Sequence, residues 1–293
     1  MHKNNFDRNL VAIGIIAALC STPALSRGAE VPWGNSVQYD NGLNPKAATD
    51  GSTVVEVHNA GYGVGPLWYR VGQANFSFKS IQWGNSVRYD YGMNPSVAIS
   101  GSTVVEVHNA FAGVGPLWMR IGQVDTASNT IKWGNNNNAF QYDKGMNPSV
   151  AISGSNVVEV HNAFAGVGPL WYRIGQVNTS NNTIHWGNNN NAIQYEKNGL
   201  NPTVAITFSQ SGLTPVEVHN GGYGVCPLWY HLSDYYTADT INWGVSAPYD
   251  NGMNPCVAGG VARPGLGIVI EVHNAFAGVG PLWYRVAYLQ VIQ

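Results

Sequence analysis

The segment VVEVHNAFAGVGPLWMRIG at positions 104–122 recurs in near copies that begin near Val54, Val157, Pro215 and Val269. A YDxGxNPxVA-like stretch precedes each copy and an IxWGN-like stretch follows each of the first four, so the unit is about fifty residues long. A unit this short cannot bury its apolar side alone, so its copies must stack on one another to make a core. Any fold for this chain has to be built from five versions of one supersecondary element.

The clearest unit, residues 94–143, reads as four short strands: Ser96 to Ile99, Thr103 to His108, Leu117 to Val124 and Thr130 to Gly134. Gly and Ser at 100–102, a Gly-rich run at 112–116 and a polar run at 126–129 supply the turns, and no stretch keeps a helical period. Five four-stranded units predict an all-β fold, a five-bladed β-propeller with one unit per blade. The WG pairs at Trp33, Trp83, Trp133, Trp186 and Trp243 number five outer strands. The chain opens on one such strand, Trp33 to Tyr39, and ends on three strands of a fifth copy. The first strand is therefore expected to close the ring by pairing with Leu282 to Tyr288.

Residues 1–26 read as a secretory signal peptide, with Lys3 and Arg8 ahead of the apolar run from Leu10 to Cys20 and small residues at Ala24 and Ser26. That run is short for a membrane span, and no later stretch approaches one. The expectation is an exported monomer whose single domain covers residues 27–293, without a transmembrane segment. Only 10% of the residues are charged and the formal net charge is −2, which leaves no basic stripe for nucleic acid. The 10 Trp, 15 Tyr, 8 Phe and 35 Gly suit tight turns and recognition of a neutral polar ligand.

In the second strand Val104, Glu106 and His108 share one side and Val105 and Val107 the other. Sheets that pack face to face would bury the Glu, and the third strand offers Arg120 as a cross-strand partner. The same pairing is expected for Glu56 with Arg70, Glu159 with Arg173 and Glu271 with Arg285, while Glu217 meets His231. The histidines at 58, 108, 161, 219 and 273, one per repeat, lie around a ring, so no metal, cofactor or catalytic residue is assigned. The tryptophans of WG and LWY, Trp118 among them, are assigned to packing.

One set of loops varies freely between copies, and the other hardly varies: YDNGLNP, YDYGMNP, YDKGMNP, YEKNGLNP and YDNGMNP, with HNAGYGVGP and its relatives. Loops ordinarily carry variation, so this face is the candidate binding face. Its acids are Asp40, Asp90, Asp143, Glu196 and Asp250, and its aromatic residues are Tyr62, Phe111, Phe164, Tyr223 and Phe276. A carboxylate for hydroxyls beside an aromatic face for a ring is equipment for sugar binding. Cys226 and Cys256 interrupt the repeat on one face of neighbouring units, and a disulfide between them is expected in an oxidising compartment.

With WGNS, YDxGxNPSVA, VVEVHN and GPLWYR as its repeated motifs, the chain resembles the secreted five-bladed lectins of the tachylectin-2 type in blade count, repeat length and near-identity of blades. The resemblance implies N-acetylated sugars as ligands. The function expected on these grounds is a multivalent carbohydrate-binding protein with up to five equivalent sites and glycans as partners. Two alternatives stand beside it. One is a propeller glycoside hydrolase with a single site at the channel mouth, although the innermost strand offers mostly Ser, Val, Ala and Ile. The other is an adhesion scaffold that binds protein.

Overall fold

Each repeat is tied to the next by one long strand that belongs to two sheets. Val87–Ser100 pairs through its first half with Gly65–Asn75 of the first repeat and through its second half with Thr103–Asn109 of its own. Thr103–Asn109 pairs with Gly115–Asp125, which pairs in turn with Thr130–Trp133 and with the start of the next long strand, Phe140–Ser153. All of these pairings are antiparallel, and the pattern repeats along the chain in an all-β, propeller-type arrangement. This computed structural model describes residues 35–209, 212–263, 266–276 and 280–290. The described residues from Ser36 onward form one compact unit. No helix among the described residues is long and apolar enough to cross a membrane.

The second, third and fourth strands fall within two residues of their expected positions. The first does not, because it runs on from the preceding sheet. The bend between its halves falls at the Asn-Pro step. Asn44, Asn94, Asn147, Asn201 and Asn254 all take left-handed backbone angles, with φ between 50° and 53°. Asn tolerates that region better than other L-residues, which explains its recurrence before each Pro.

The core lies between neighbouring sheets. Val55, Val57, Leu67, Tyr69 and Val71 of the first repeat pack against Val97, Ile99, Val104 and Ile131 of the second, and equivalent clusters follow at the next three junctions. In the third strand Leu117, Met119 and Ile121 are buried while Trp118 is half-buried, so Trp118 is not the core residue expected. Asn109 bridges two sheets, donating from Nδ2 to the Gly145 carbonyl and accepting at Oδ1 from the Asn147 amide. Asn59, Asn162 and Asn220 do the same at the other junctions.

Two expectations need correction. Of the closing strand, Trp33 and Gly34 lie outside the described residues, and residues 35–42 form no strand. Tyr39 and Asp40 are held by the first repeat instead, Tyr39 stacked on Trp83 at 5.2 Å and Asp40 on Arg70 at 2.7 Å. Leu282–Gln290 pairs with Leu266–Asn274 and, among the described residues, with nothing else, so Trp283, Tyr284 and Tyr288 stay exposed. The cysteines are both free. Cys226 donates its thiol to the Gly222 carbonyl within its own loop, whereas Cys256 lines the cavity on the axis, so the two serve different surroundings.

Candidate functional sites on the axis and between the sheets

Five Asn-Pro bends meet on the axis. Asn44 donates through its side-chain amide to Asn94 Oδ1 at 3.3 Å, Asn94 to Asn147 at 3.0 Å, Asn147 to Asn201 at 2.9 Å and Asn201 to Asn254 at 3.2 Å. A primary amide has two donor hydrogens and an acceptor with two lone pairs, so this run of five amides keeps hydrogen-bonding capacity to spare. It rims a cavity of 490 Å³ whose walls are the Asn-Pro bends and the residues that follow them, Lys46, Ser96, Ser149, Thr203 and Cys256 among these. The five NP pairs were visible in the sequence. Read as backbone chemistry alone, they gave no sign that their amides converge.

Between the sheets lies a second repeated constellation. Glu106 is buried, accepts from the Tyr89 hydroxyl at 2.8 Å, and holds His108 Nδ1 at 3.1 and 3.2 Å. Burial, and after it the Glu106 charge, pushes the Tyr89 hydroxyl well above the usual tyrosine range, so Tyr89 is a fixed donor. Arg120 does not take the cross-strand Glu, although the two residues are register partners. Its Nε reaches Asp90 Oδ2 at 2.7 Å, its Nη1 donates to the Asn137 carbonyl, and its guanidinium lies 5.8 Å from the Tyr89 ring centroid. The expected Glu–Arg pairs are therefore replaced throughout. Asp40–Arg70, Asp143–Arg173 and Asp250–Arg285 meet at 2.6–2.7 Å, while each Glu binds the His two residues on. A planar fork can join a carboxylate, a loop carbonyl and an aromatic face at once, which a lone cross-strand contact would not exploit.

This arrangement separates the ten candidate ligand residues. Asp40, Asp90, Asp143 and Asp250 are engaged by arginines at the sheet junctions. Hydrogen bonds from Arg285 lead the effects that hold the Asp250 carboxyl below the usual range. Burial works to raise Asp40, but the Asn41 amide, Ser86 and Arg70 outweigh it. The aromatic residues stand at the loop tips: Tyr62 is 94% exposed, Tyr223 72%, and Phe111, Phe164 and Phe276 close to 60%.

Repeat four departs from the pattern. Glu196 and His231 replace the Asp and Arg, with Glu196 Oε2 at 3.4 Å from His231 Nε2. His231 is buried, donates from Nδ1 to the Gly244 carbonyl at 3.0 Å, and has Tyr195 edge-on at 5.4 Å. His219 Nδ1 lies 3.0 and 3.2 Å from the Glu217 oxygens. Glu217, His219 and His231 bring one possible ligand atom each within 4.8 Å of one another. Counting one histidine per repeat hides this cluster, since its second imidazole stands where the other repeats carry arginine.

No family model matches the sequence, and no curated protein matches it. Solved structures do resemble it in fold. A Trypanosoma rangeli sialidase bound to the inhibitor DANA is 11% identical with a TM-score of 0.53, over 80% of this chain and 44% of that one. A Bacteroides uniformis protein provisionally assigned as a 6-phosphogluconolactonase is 12% identical with a TM-score of 0.52, over 84% and 71% of the two chains. A family 43 glycoside hydrolase from Xanthomonas citri, solved with xylose, is 9% identical with a TM-score of 0.49, over 86% and 88%. The first two similarities support the propeller class, and a lectin of the tachylectin-2 type is not shown. The lectin expectation is corrected accordingly: no lectin is among these similarities, and four of the five acids meant to meet sugar hydroxyls are taken by arginines.

Proposed function

We propose that this protein is an exported, carbohydrate-active propeller of the glycoside-hydrolase kind that takes its ligand at one site on the axis. The observation that carries this reading is the 490 Å³ cavity rimmed by five asparagine side chains. Its volume falls in the range of small-ligand sites, about 300–1,000 Å³. Neutral amides around the rim, with Lys46 the one charged residue in the lining, suit a polyhydroxylated ligand, and the axial position makes the site single. The carboxylates nearest in sequence to the ring asparagines are Asp40, Asp90, Asp143 and Asp250, each four residues before its asparagine and each paired with an arginine. A carboxylate held ionised by arginine suits the role of base or nucleophile rather than proton donor.

The test is a panel of aryl glycosides and plant and bacterial polysaccharides, followed by product analysis. Calorimetry should find one ligand per chain, and Asn147→Leu with Asn201→Leu should remove binding and turnover together. Turnover unchanged in that double variant would refute the axial site. A second reading, a scaffold that binds protein, is favoured by one observation. The loop tips expose Val114 and Val225 beside the aromatic residues, which makes an apolar crown. Replacing Tyr62, Phe111 and Tyr223 together by Ser should leave glycan turnover intact under the first reading and abolish partner capture under the second.

A further inference from the structure

Repeat four carries two buried or half-buried carboxylates at its junction, as every repeat does, but lacks the guanidinium that neutralises one of them. In the other four repeats an arginine Nε sits 2.6–2.7 Å from the equivalent Asp, so a fixed positive charge fills the space where a cation would have to bind. Repeat four has His231 there, and its Nε2 is buried without a hydrogen-bond partner. The hydrogen bonds set the tautomers. A carbonyl and a carboxylate only accept, so His231 Nδ1 carries the proton given to Gly244 and His219 Nδ1 the proton given to Glu217. Both Nε2 atoms are then lone pairs in the neutral rings. A His that donates its far nitrogen to a carbonyl or carboxylate is oriented as metal-binding histidines are.

We propose that His219, His231 and Glu196, with Glu217 orienting His219, bind one divalent transition-metal ion, Zn²⁺ fitting best. Two imidazoles and a carboxylate are a borderline-soft donor set that Zn²⁺ accepts and that Mg²⁺ and Ca²⁺ do not favour. The spacing suits it as well. Ligand atoms about 2.0–2.1 Å from a tetrahedral zinc lie about 3.4 Å from one another, and Glu196 Oε2 and His231 Nε2 are 3.4 Å apart. His219 and His231 each bring one possible ligand atom within 4.8 Å of the other, and Glu196 reaches His231 from an earlier strand, so turning the Glu196 and His219 side chains toward one point completes the set. Tyr195 and Trp243, edge-on to His231 at 5.4 and 6.0 Å, restrict the ring to that orientation. None of the three ligands lines the axial cavity, so zinc binding here does not depend on a glycan there.

The test is to strip the full chain with a chelator and titrate it with ZnSO₄ by calorimetry, with metal content read by mass spectrometry. One zinc per chain is expected, with a rise in melting temperature on addition. His231→Arg restores the residue of the other repeats and should fold, yet bind zinc at least about 100-fold more weakly and lose the melting shift. His185→Ala, which removes an exposed histidine elsewhere, should change neither. Glu196→Gln keeps both imidazoles and should weaken binding at least about tenfold, so the proposal stays testable if the arginine variant fails to fold. No zinc uptake by the parent overturns the proposal, as does parental affinity in either variant. Binding of MgCl₂ or CaCl₂ as tight as that of zinc would overturn the imidazole assignment.

Discussion

Repeats three and four share a backbone frame and differ in how they handle the same buried negative charge. In repeat three Arg173 joins Asp143 at 2.6 Å, the Asn190 carbonyl at 3.0 Å and the Trp186 face at 5.7 Å. In repeat four His231 offers one proton to Gly244 and one lone pair toward Glu196. Much of the frame around the two is alike: the Glu–His pair two residues apart, the bridging Asn162 and Asn220, and the axial Asn147 and Asn201. The difference teaches that structure and reactivity are separable in this fold. Arginine uses its donors to lock a loop and an acid together, whereas a histidine in the same place leaves an unpaired nitrogen against a carboxylate.

The largest expected effect comes from breaking the locked version. Arg173→Ala strands Asp143 beside Glu159 and frees the Asn190 carbonyl, and should cost about 3–5 kcal/mol in urea denaturation. His231→Ala in repeat four, measured in metal-free protein, should cost clearly less, because no fixed charge is abandoned there. Equal costs for the two variants would mean that the imidazole is protonated and acts as a plain substitute for arginine.

The contrast between these repeats also marks how much could be read from the chain alone. The repeat period, the strand-turn pattern and the alternation of VVEVH were enough for the all-β propeller class, because period-two patterning and turn chemistry are local. Partner choice between sheets was not local. Glu106 and Arg120 are register neighbours, yet the arginine turns toward Asp90, thirty positions earlier in the chain, because His108 and Tyr89 already satisfy the Glu. The convergence of five asparagines depends on closure about an axis, and nothing inside one repeat records it. Repeat four was legible as a departure, the His where Arg was due, but its chemistry required the tautomers that Gly244 and Glu217 impose.

A smaller effect checks that the two repeats really share a frame. Asn147→Ala and Asn201→Ala each lose amide bonds in the ring and place alanine at a φ of 50–52°, and each should cost about 2 kcal/mol. Matching costs in thermal or chemical denaturation would keep the difference between the repeats confined to the Arg/His exchange. A markedly cheaper Asn201→Ala would mean that repeat four is relaxed at the axis as well.

The smallest effect is a pH dependence in repeat three. Burial acts to lower the pKa of His161, but the Glu159 charge and hydrogen bond, with Asp143 behind them, outweigh burial and the opposing Arg173, so its pKa lies above the usual range. Folding therefore favours the protonated ring. The stability this contributes is complete below the unfolded histidine value of about 6.5 and is lost as pH rises through the higher folded value. Denaturation of the parent and of His161→Gln should accordingly show a larger cost of the substitution near pH 5.5 than near pH 9, by less than the Arg173 effect. A cost independent of pH would mean that His161 stays neutral in the fold and serves only as the donor that occupies Glu159. Both carboxylates of repeat three would then depend on Arg173 for their compensating charge, and the expected penalty for Arg173→Ala would rise to the top of its range.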